Sequence, residues 1–338
     1  MKPSLVITFL LAVLCLTALI SLSLGRYPVS FGDLIRFLGL RMSDGAPVMD
    51  SRQYLIIKNI LVDIRLPRIA AAILIGASLA VSGAVFQSMF INPLVSPGLL
   101  GVLAGASFGA AVGMILAKSW FVVQSAAFAF GLIAVLAAVA MSALNRGDRL
   151  LMLILGGIIS GALFTSLLSV VKYLADPYEQ LPAIVYWLMG GLSAVDSQTV
   201  LTVCGPILGG ILVLVLLSGY LNVLSMGDEE ARSLGVNVVY MRLGFILLAT
   251  VISALTVVMG GIIGWVGLLI PHIARMIVGP DNRILLPASA LIGAIYLLIA
   301  DDVARLLFGV EIPIGILTSL VGIPFFAFVL RKARKGWN

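Results

Sequence analysis

Ser225-Met226-Gly227-Asp228-Glu229-Glu230-Ala231-Arg232-Ser233-Leu234-Gly235 is a charged island in an apolar chain. Three carboxylates stand in a row, an arginine follows, and a glycine closes the stretch. As a helix it takes Asp228 as N-cap and holds Glu229 and Glu230 in the first turn, where the macrodipole favours negative charge. Arg232 lies four residues after Asp228 and three after Glu229, within pairing reach of either. Gly235 supplies the C-terminal stop. Helices shorter than ~12 residues are marginal alone in water. This one needs support, from the rest of the chain or from another protein.

The surrounding composition sets the class. Of 338 residues, 61% are hydrophobic and 11% charged, whereas soluble domains carry roughly 25% charged residues. Mean hydropathy is +1.18. Runs of ~20 apolar residues, enough to cross a bilayer, recur from end to end. They are rich in Gly and Ala, which suits close helix packing in lipid. The expectation is an all-α integral membrane chain of about ten transmembrane helices, one domain over residues 1–338. Cys15 and Cys204 both lie in apolar runs and His272 is the sole histidine, so neither a disulfide framework nor a metal cluster is indicated. The pI is near 9.5, but the basic residues flank spans and form no patch for nucleic acid.

In chain order, the first span is Leu5–Leu24, read as uncleaved because it is long for a signal peptide. A polar loop follows from Gly25 to about Lys58. The second span runs from Arg65-Leu66-Pro67-Arg68 to Phe90, and Asn92-Pro93-Leu94-Val95-Ser96-Pro97 interrupts it before a Gly-rich third span, Gly98–Ala117. Trp120–Leu144 is the fourth, the turn Asn145-Arg146-Gly147-Asp148-Arg149 follows, and Leu150 to about Val171 is the fifth. Leu181–Leu192 reads as a short interfacial helix, and Val200–Leu217 as the sixth span. Beyond the charged island come Leu243–Met259, Ile262–Val278 with Pro271 inside it, Leu285–Ala300 and Ile314–Leu330.

The basic tail Arg331-Lys332-Ala333-Arg334-Lys335 reads as cytoplasmic by the positive-inside rule, and ten spans return the N-terminus to that side. The charged island is then cytoplasmic too. Arg65, Arg68 and Arg305 fall at span ends on the opposite side. Two readings stand for them. Either they snorkel or pair with Asp63, Asp301 and Asp302, or they form a positive ring that awaits an acidic soluble partner.

Inside the spans, Pro93 and Pro97 break regular helix beside Gln87 and Asn92. Irregular backbone at membrane depth survives only when buried in protein or lining a water-filled cavity, so the break reads as a pathway constriction or a plain buried turn. In Gly264-Trp265-Val266-Gly267-Leu268-Leu269-Ile270-Pro271-His272-Ile273-Ala274-Arg275 the glycines allow close helix contact. Pro271 frees a carbonyl for a side chain, and His272 reads as structural. No GxxxxGK[ST] loop is present, so the chain does not hydrolyse ATP by that route. Carboxylates sit at span ends and not at span centres, which disfavours an ion-coupled secondary carrier. A channel needs fewer special features than these. A membrane pathway powered from elsewhere remains.

Arg65-Leu66-Pro67-Arg68, Gly83-Ala84-Val85-Phe86-Gln87 with Asn92-Pro93-Leu94-Val95-Ser96-Pro97-Gly98-Leu99-Leu100-Gly101, and Gly267 to Arg275 together resemble the FecCD family. So do Ala300-Asp301-Asp302-Val303-Ala304-Arg305 and Glu311-Ile312-Pro313-Ile314-Gly315. These are permease subunits of ABC importers for ferric siderophores, haem and cobalamin, with some members linked to molybdate or tungstate. The resemblance implies the type II ABC importer permease fold and a homodimer in a prokaryotic inner membrane. It further implies two separate ATP-binding subunits that carry ATP and magnesium, and one periplasmic or lipid-anchored substrate-binding protein. By position, Arg65, Arg68 and Arg305 match arginines that meet acidic residues of the binding protein. Asn92 and Leu94 match a cytoplasmic gate. Gly147 and Asp148 fall at a second gate, where some relatives carry small hydroxyl residues. Gly227, Asp228, Glu229, Glu230, Ala231, Arg232, Ser233, Leu234 and Gly235, within a segment of about 225–238, match the helix that couples to the ATPase. Gly267, Pro271, His272 and Arg275 form a structural motif.

Overall fold

The computed structural model describes residues 3–30, 32–33, 35, 51–117, 119–144 and 149–335, and every regular element among them is helical. The first half comprises α1 (Pro3–Ser23), α2 (Ser51–Lys58), a π-helical segment (Asn59–Arg65), α3 (Leu66–Met89), a 3-10 turn (Pro97–Leu100), α4 (Val102–Leu116), α5 (Trp120–Leu144) and α6 (Arg149–Leu174). The second comprises α7 (Gln180–Leu188), α8 (Ser197–Leu216), α9 (Ser218–Leu224), α10 (Asp228–Ser233), α11 (Val238–Gly260), α12 (Val266–Val278), α13 (Asn282–Leu306) and α14 (Ile314–Lys335). Among the described residues seven helices are long and apolar enough to cross a membrane, and three shorter apolar ones within α4, α12 and α14 complete the ten expected spans. Asp196, Asn237 and Asp281 accept backbone N–H groups at the starts of α8, α11 and α13, as N-caps do.

The second span departs from the sequence reading. α2, the π segment and α3 join, so Tyr54–Met89 is continuous helix and residues 51–58 are not loop. Tyr54, Ile57 and Leu61 recur at helical spacing, and Leu22 of α1 packs against Ile57 and Leu61, which carries the helix to the N-terminal side of Arg65.

α3 is the axis of the domain. The span that contains it is 89% buried, against 17% for α1 and 28% for α5 and α6. Lipid is as apolar as leucine, so association here rests on close packing and not on escape from water. Small residues supply it. A Cβ at Gly83 would overlap the carbonyl of Gly267 in α12, and one at Gly76 would overlap that of Gly293 in α13. On α4, Gly105 and Gly109 lie against the backbone of Phe130 and Ala126 in α5, and Gly113 lies against Val123. That is a GxxxGxxxG stripe facing one neighbour.

Gly83→Val and Gly293→Val should therefore each force α3 off its partner and lower stability by about 1–3 kcal/mol or more. Gly244 has nothing near its Cβ position, so Gly244→Ala should be neutral or slightly stabilising. Thermal unfolding in detergent measures all three.

Candidate functional site

The charged island folds as α10, but Asp228 is not its cap. Gly227 takes the cap position at φ 120°, and Asp228 opens the first turn. Its carboxylate is drawn to Arg242 of α11, with N–O distances of 2.5 and 3.0 Å. Arg232, the partner expected from spacing, stands 3.8 Å away with 59% of its side chain exposed. Arg242 wins because the 234–237 turn lays α11 beside α10 and presents a guanidinium that is already mostly buried. Gly235 ends the helix as expected, at φ 79°. Its N–H donates to the Arg232 carbonyl at 2.9 Å and that of Val236 to Ala231 at 3.0 Å, the Schellman pattern.

What supports so short a helix is the chain itself. Ala231 is fully buried in one cluster with Leu221, Leu224, Phe86, Phe90 and Val95. The opposite face is open: Glu229, Glu230, Ser233 and Leu234 are all exposed.

Phe86 and Phe90 belong to the end of α3, where the chain leaves regular helix. Ile91 adopts φ 50°, a strained value for a β-branched residue, and turns the chain into Asn92. Asn92 Oδ1 accepts the Leu94 N–H at 2.9 Å, so the side chain builds its own turn. Asn92 and Leu94 are exposed while Val95 is buried. Gly147 and Asp148 lie outside the described residues.

Gln87 links this end to α12. Pro271 leaves the Gly267 carbonyl without its helical donor, and Gln87 Nε2 covers that carbonyl at 3.5 Å and the Leu268 carbonyl at 3.1 Å. Gln87 Oε1 accepts from Arg275 Nη1 at 3.1 Å. His272 packs against Phe325 and Phe326 of α14, with ring centroids 6.0 and 6.3 Å apart. Gly261 and Trp265, at φ 64° and 69°, break the chain between α11 and α12. This break faces Ser96, Pro97 and Gly98 across a cavity of about 40 Å³. The two interruptions at membrane depth thus cover each other.

The three arginines gather at the other end of α3, and they are not free. Arg68 grips Asp301 through Nε at 2.9 Å and Nη2 at 2.7 Å, and reaches Glu311 at 2.5 Å. Arg305 lies 3.2 Å from Asp301 and also pairs with Asp302, whose Oδ1 accepts from Ser21 of α1 at 2.7 Å. Arg65 donates to the carbonyls of Leu22 and Ser23 at the end of α1 and to that of Tyr27 just beyond it. Arg65 and Arg68 are only 4% and 7% exposed. Two of the guanidiniums, Arg68 and Arg305, meet the three carboxylates, and Arg65 meets backbone carbonyls beside them; with three charges of each sign the cluster is neutral as a whole. Asp301 and Asp302 were legible as partners, whereas Asp63 is exposed.

Sequence reasoning gave no role to Glu311 or Arg242. Both are charges at a span end opposite a predicted site charge, which is the signal that points to them. A larger cavity of about 490 Å³, lined by Trp120, Glu179, Tyr186 and Trp187 among others, lies on the flank of the domain, and no predicted site residue lines it.

The model of the FecCD transport family matches residues 11–332. The molybdate import system permease protein MolB of Haemophilus influenzae is 40% identical over 96% of this chain and 94% of its own. The hemin transport system permease protein HmuU of Yersinia pestis is 36% identical over 99% and 97%. A solved metal-chelate type ABC transporter in an inward-facing conformation superposes with a TM-score of 0.85 at 38% identity, covering 96% of this chain and 98% of that one.

Asp301→Ala strips Arg68 and Arg305 of their shared buried anion and should cost about 3–5 kcal/mol. Glu311 is less buried, so Glu311→Gln should cost clearly less. Detergent unfolding of the two variants compares them.

Proposed function

The chain belongs to the FecCD transport family, and from that premise we propose that it forms half of a homodimeric permease that imports a metal chelate across a prokaryotic inner membrane. It is the multi-pass permease subunit of an ABC importer, and the ATPase is a separate subunit. In the proposed assembly two such subunits, holding ATP and magnesium, dock on the α10 end of the dimer. One periplasmic or lipid-anchored substrate-binding protein docks on the arginine end.

The observation that carries this reading is how α10 is mounted. It presents Glu229, Glu230 and Leu234 outward, yet Ala231 seats it in the cluster at the end of α3 that leads to Asn92, and the Asp228–Arg242 pair ties it to α11. A rigid contact helix passes a partner's displacement to the spans as shear of packed helices. Asn92 and Leu94 then act as the cytoplasmic gate, with Gly147 and Asp148 proposed as a second one. Orientation has geometric support: Val6 and Leu10 of α1 pack on Ala288, near the start of α13, and α14 runs past His272 toward the same end. Both termini thus share the α10 end, which we assign to the cytoplasm.

Ferric siderophore, haem or corrinoid is the first reading of the cargo, supported by the metal-chelate transporter and the hemin permease. Molybdate or tungstate is the second, favoured by the 40% identity to the molybdate permease over nearly the whole chain. Selection between them falls to the substrate-binding protein, and titrating that protein with each cargo decides it.

The neutral cluster constrains docking. A partner's carboxylates reach Arg68 and Arg305 only in competition with Asp301, Asp302 and Glu311, and Arg65 only in competition with the carbonyls of Leu22, Ser23 and Tyr27, so charge contributes little to affinity. Between about 0.05 M and about 0.5 M salt the affinity for the binding protein should change less than about threefold. Asp302→Asn, which leaves Arg305 with Asp301 as its one carboxylate partner and the cluster with a net positive charge, should steepen that dependence. Glu230→Ala with Arg232→Ala should leave the fold intact and abolish co-purification of the ATPase; undiminished co-purification would count against α10 as the contact.

A further inference from the structure

One buried amide joins α10's support to the turn at Asn92. We propose that Asn282 is the positioning residue that fixes the register between the ATPase-facing segment and that turn, a proposal that rests on the reading of α10 as the coupling contact. Asn282 opens α13 and is 2% exposed. Its backbone N–H and its Nδ2 both donate to Oδ1 of Asn222, at 2.9 and 2.8 Å. Asn222 lies on α9, the helix that leads directly into α10. On the other side, Ser88 Oγ donates to Asn282 Oδ1 at 2.6 Å. Ser88 sits in the last turn of α3, four residues before Asn92.

The direction of the chain of bonds is set at its far end. Asp281 caps α13 by accepting the Arg283 N–H at 3.0 Å, and Asn222 Nδ2 donates to the same carboxylate at 2.7 Å. Those two donors hold the Asp281 carboxyl below the usual carboxylate range, so it is an anion at neutral pH. An anion accepts and never donates, which forces the Asn222 amide to aim its nitrogen at Asp281 and its oxygen at Asn282. Asn282 must then aim its nitrogen at Asn222 and its oxygen at Ser88. No member can flip without orphaning a partner.

The apolar contacts of Leu221 and Leu224 with the end of α3 hold the same elements together, but leucine surfaces slide. Directional bonds do not. Displacement of α9 and α10 along the membrane normal therefore drags Ser88, and with it the start of the Asn92 turn, instead of slipping past it.

The test uses the full transporter with its ATPase and an Asn92→Cys reporter, labelled with a membrane-impermeant maleimide with and without ATP. In that parent, labelling rates in the two states should differ by about tenfold. Adding Asn282→Ala or Ser88→Ala should bring the ratio to about one, while the ATPase still co-purifies. Ser88→Ala removes only the final bond, which keeps the test decisive should Asn282→Ala fail to fold. Ser82→Ala deletes another buried hydrogen bond of α3, to the Ala249 carbonyl at 3.0 Å, and should leave the ratio at its parental value. Nucleotide-dependent labelling in Ser88→Ala, or its loss in Ser82→Ala as well, overturns the proposal. A parent whose labelling ignores nucleotide overturns instead the gate reading beneath it.

Discussion

Backbone contact along α3 is the constraint on which everything else hangs. In a solvent of acyl chains, burying leucine brings no gain over leaving it in lipid, so helices hold only where they fit closely. Gly76 and Gly83 let α13 and α12 come within carbonyl contact of α3. Those helices also carry the charges that matter at either end. Because α3 and α13 touch backbone to backbone in the middle, Arg68 meets Asp301 at one end and Ser88 meets Asn282 at the other. One tight crossing sets both.

The two ends use charge in opposite ways. At the arginine end, Arg68 and Arg305 close on three carboxylates and Arg65 stands beside them on backbone carbonyls, which lets six ionisable groups sit at a span boundary with no net charge. Of the three carboxylates of α10, Asp228 is tied inward by a close ion pair, and its neighbours Glu229 and Glu230 stay in the open. A neutral lock at one end and an unspent acidic face at the other suit a clamp that holds its shape and a handle that is gripped.

Much of this was legible because membrane spans announce themselves by length and hydropathy: the ten spans, the stop at Gly235 and the carbonyl freed by Pro271 all follow from local chemistry. The extension of the second span was not, since residues 51–58 look polar until Leu22 of α1 is set against Ile57. The partner of Asp228 was also missed. Spacing rules see Arg232 four residues on, whereas Arg242 arrives through a turn of the chain. Likewise Glu311 reaches Arg68 across 243 positions, a distance at which periodicity is silent. Burial, too, is invisible in sequence: for the same arginines, pairing with aspartates and a waiting ring stand side by side until the structure shows Arg68 and Arg305 paired and Arg65 held by carbonyls.

The two broken spans bear on how the protein is made. α4 has 15 residues and α12 has 13, so at ~1.5 Å per residue they reach ~22 and ~20 Å, short of a ~30 Å hydrocarbon core. The irregular backbone that completes the second of them needs company. Trp265 at that break rests on Phe326 and against Gly322 of the final span. During synthesis the eighth span thus leaves the ribosome before the tenth that shelters it exists. Its stable residence in the bilayer waits for the C-terminus, which makes insertion and tertiary assembly a single act for this part of the chain.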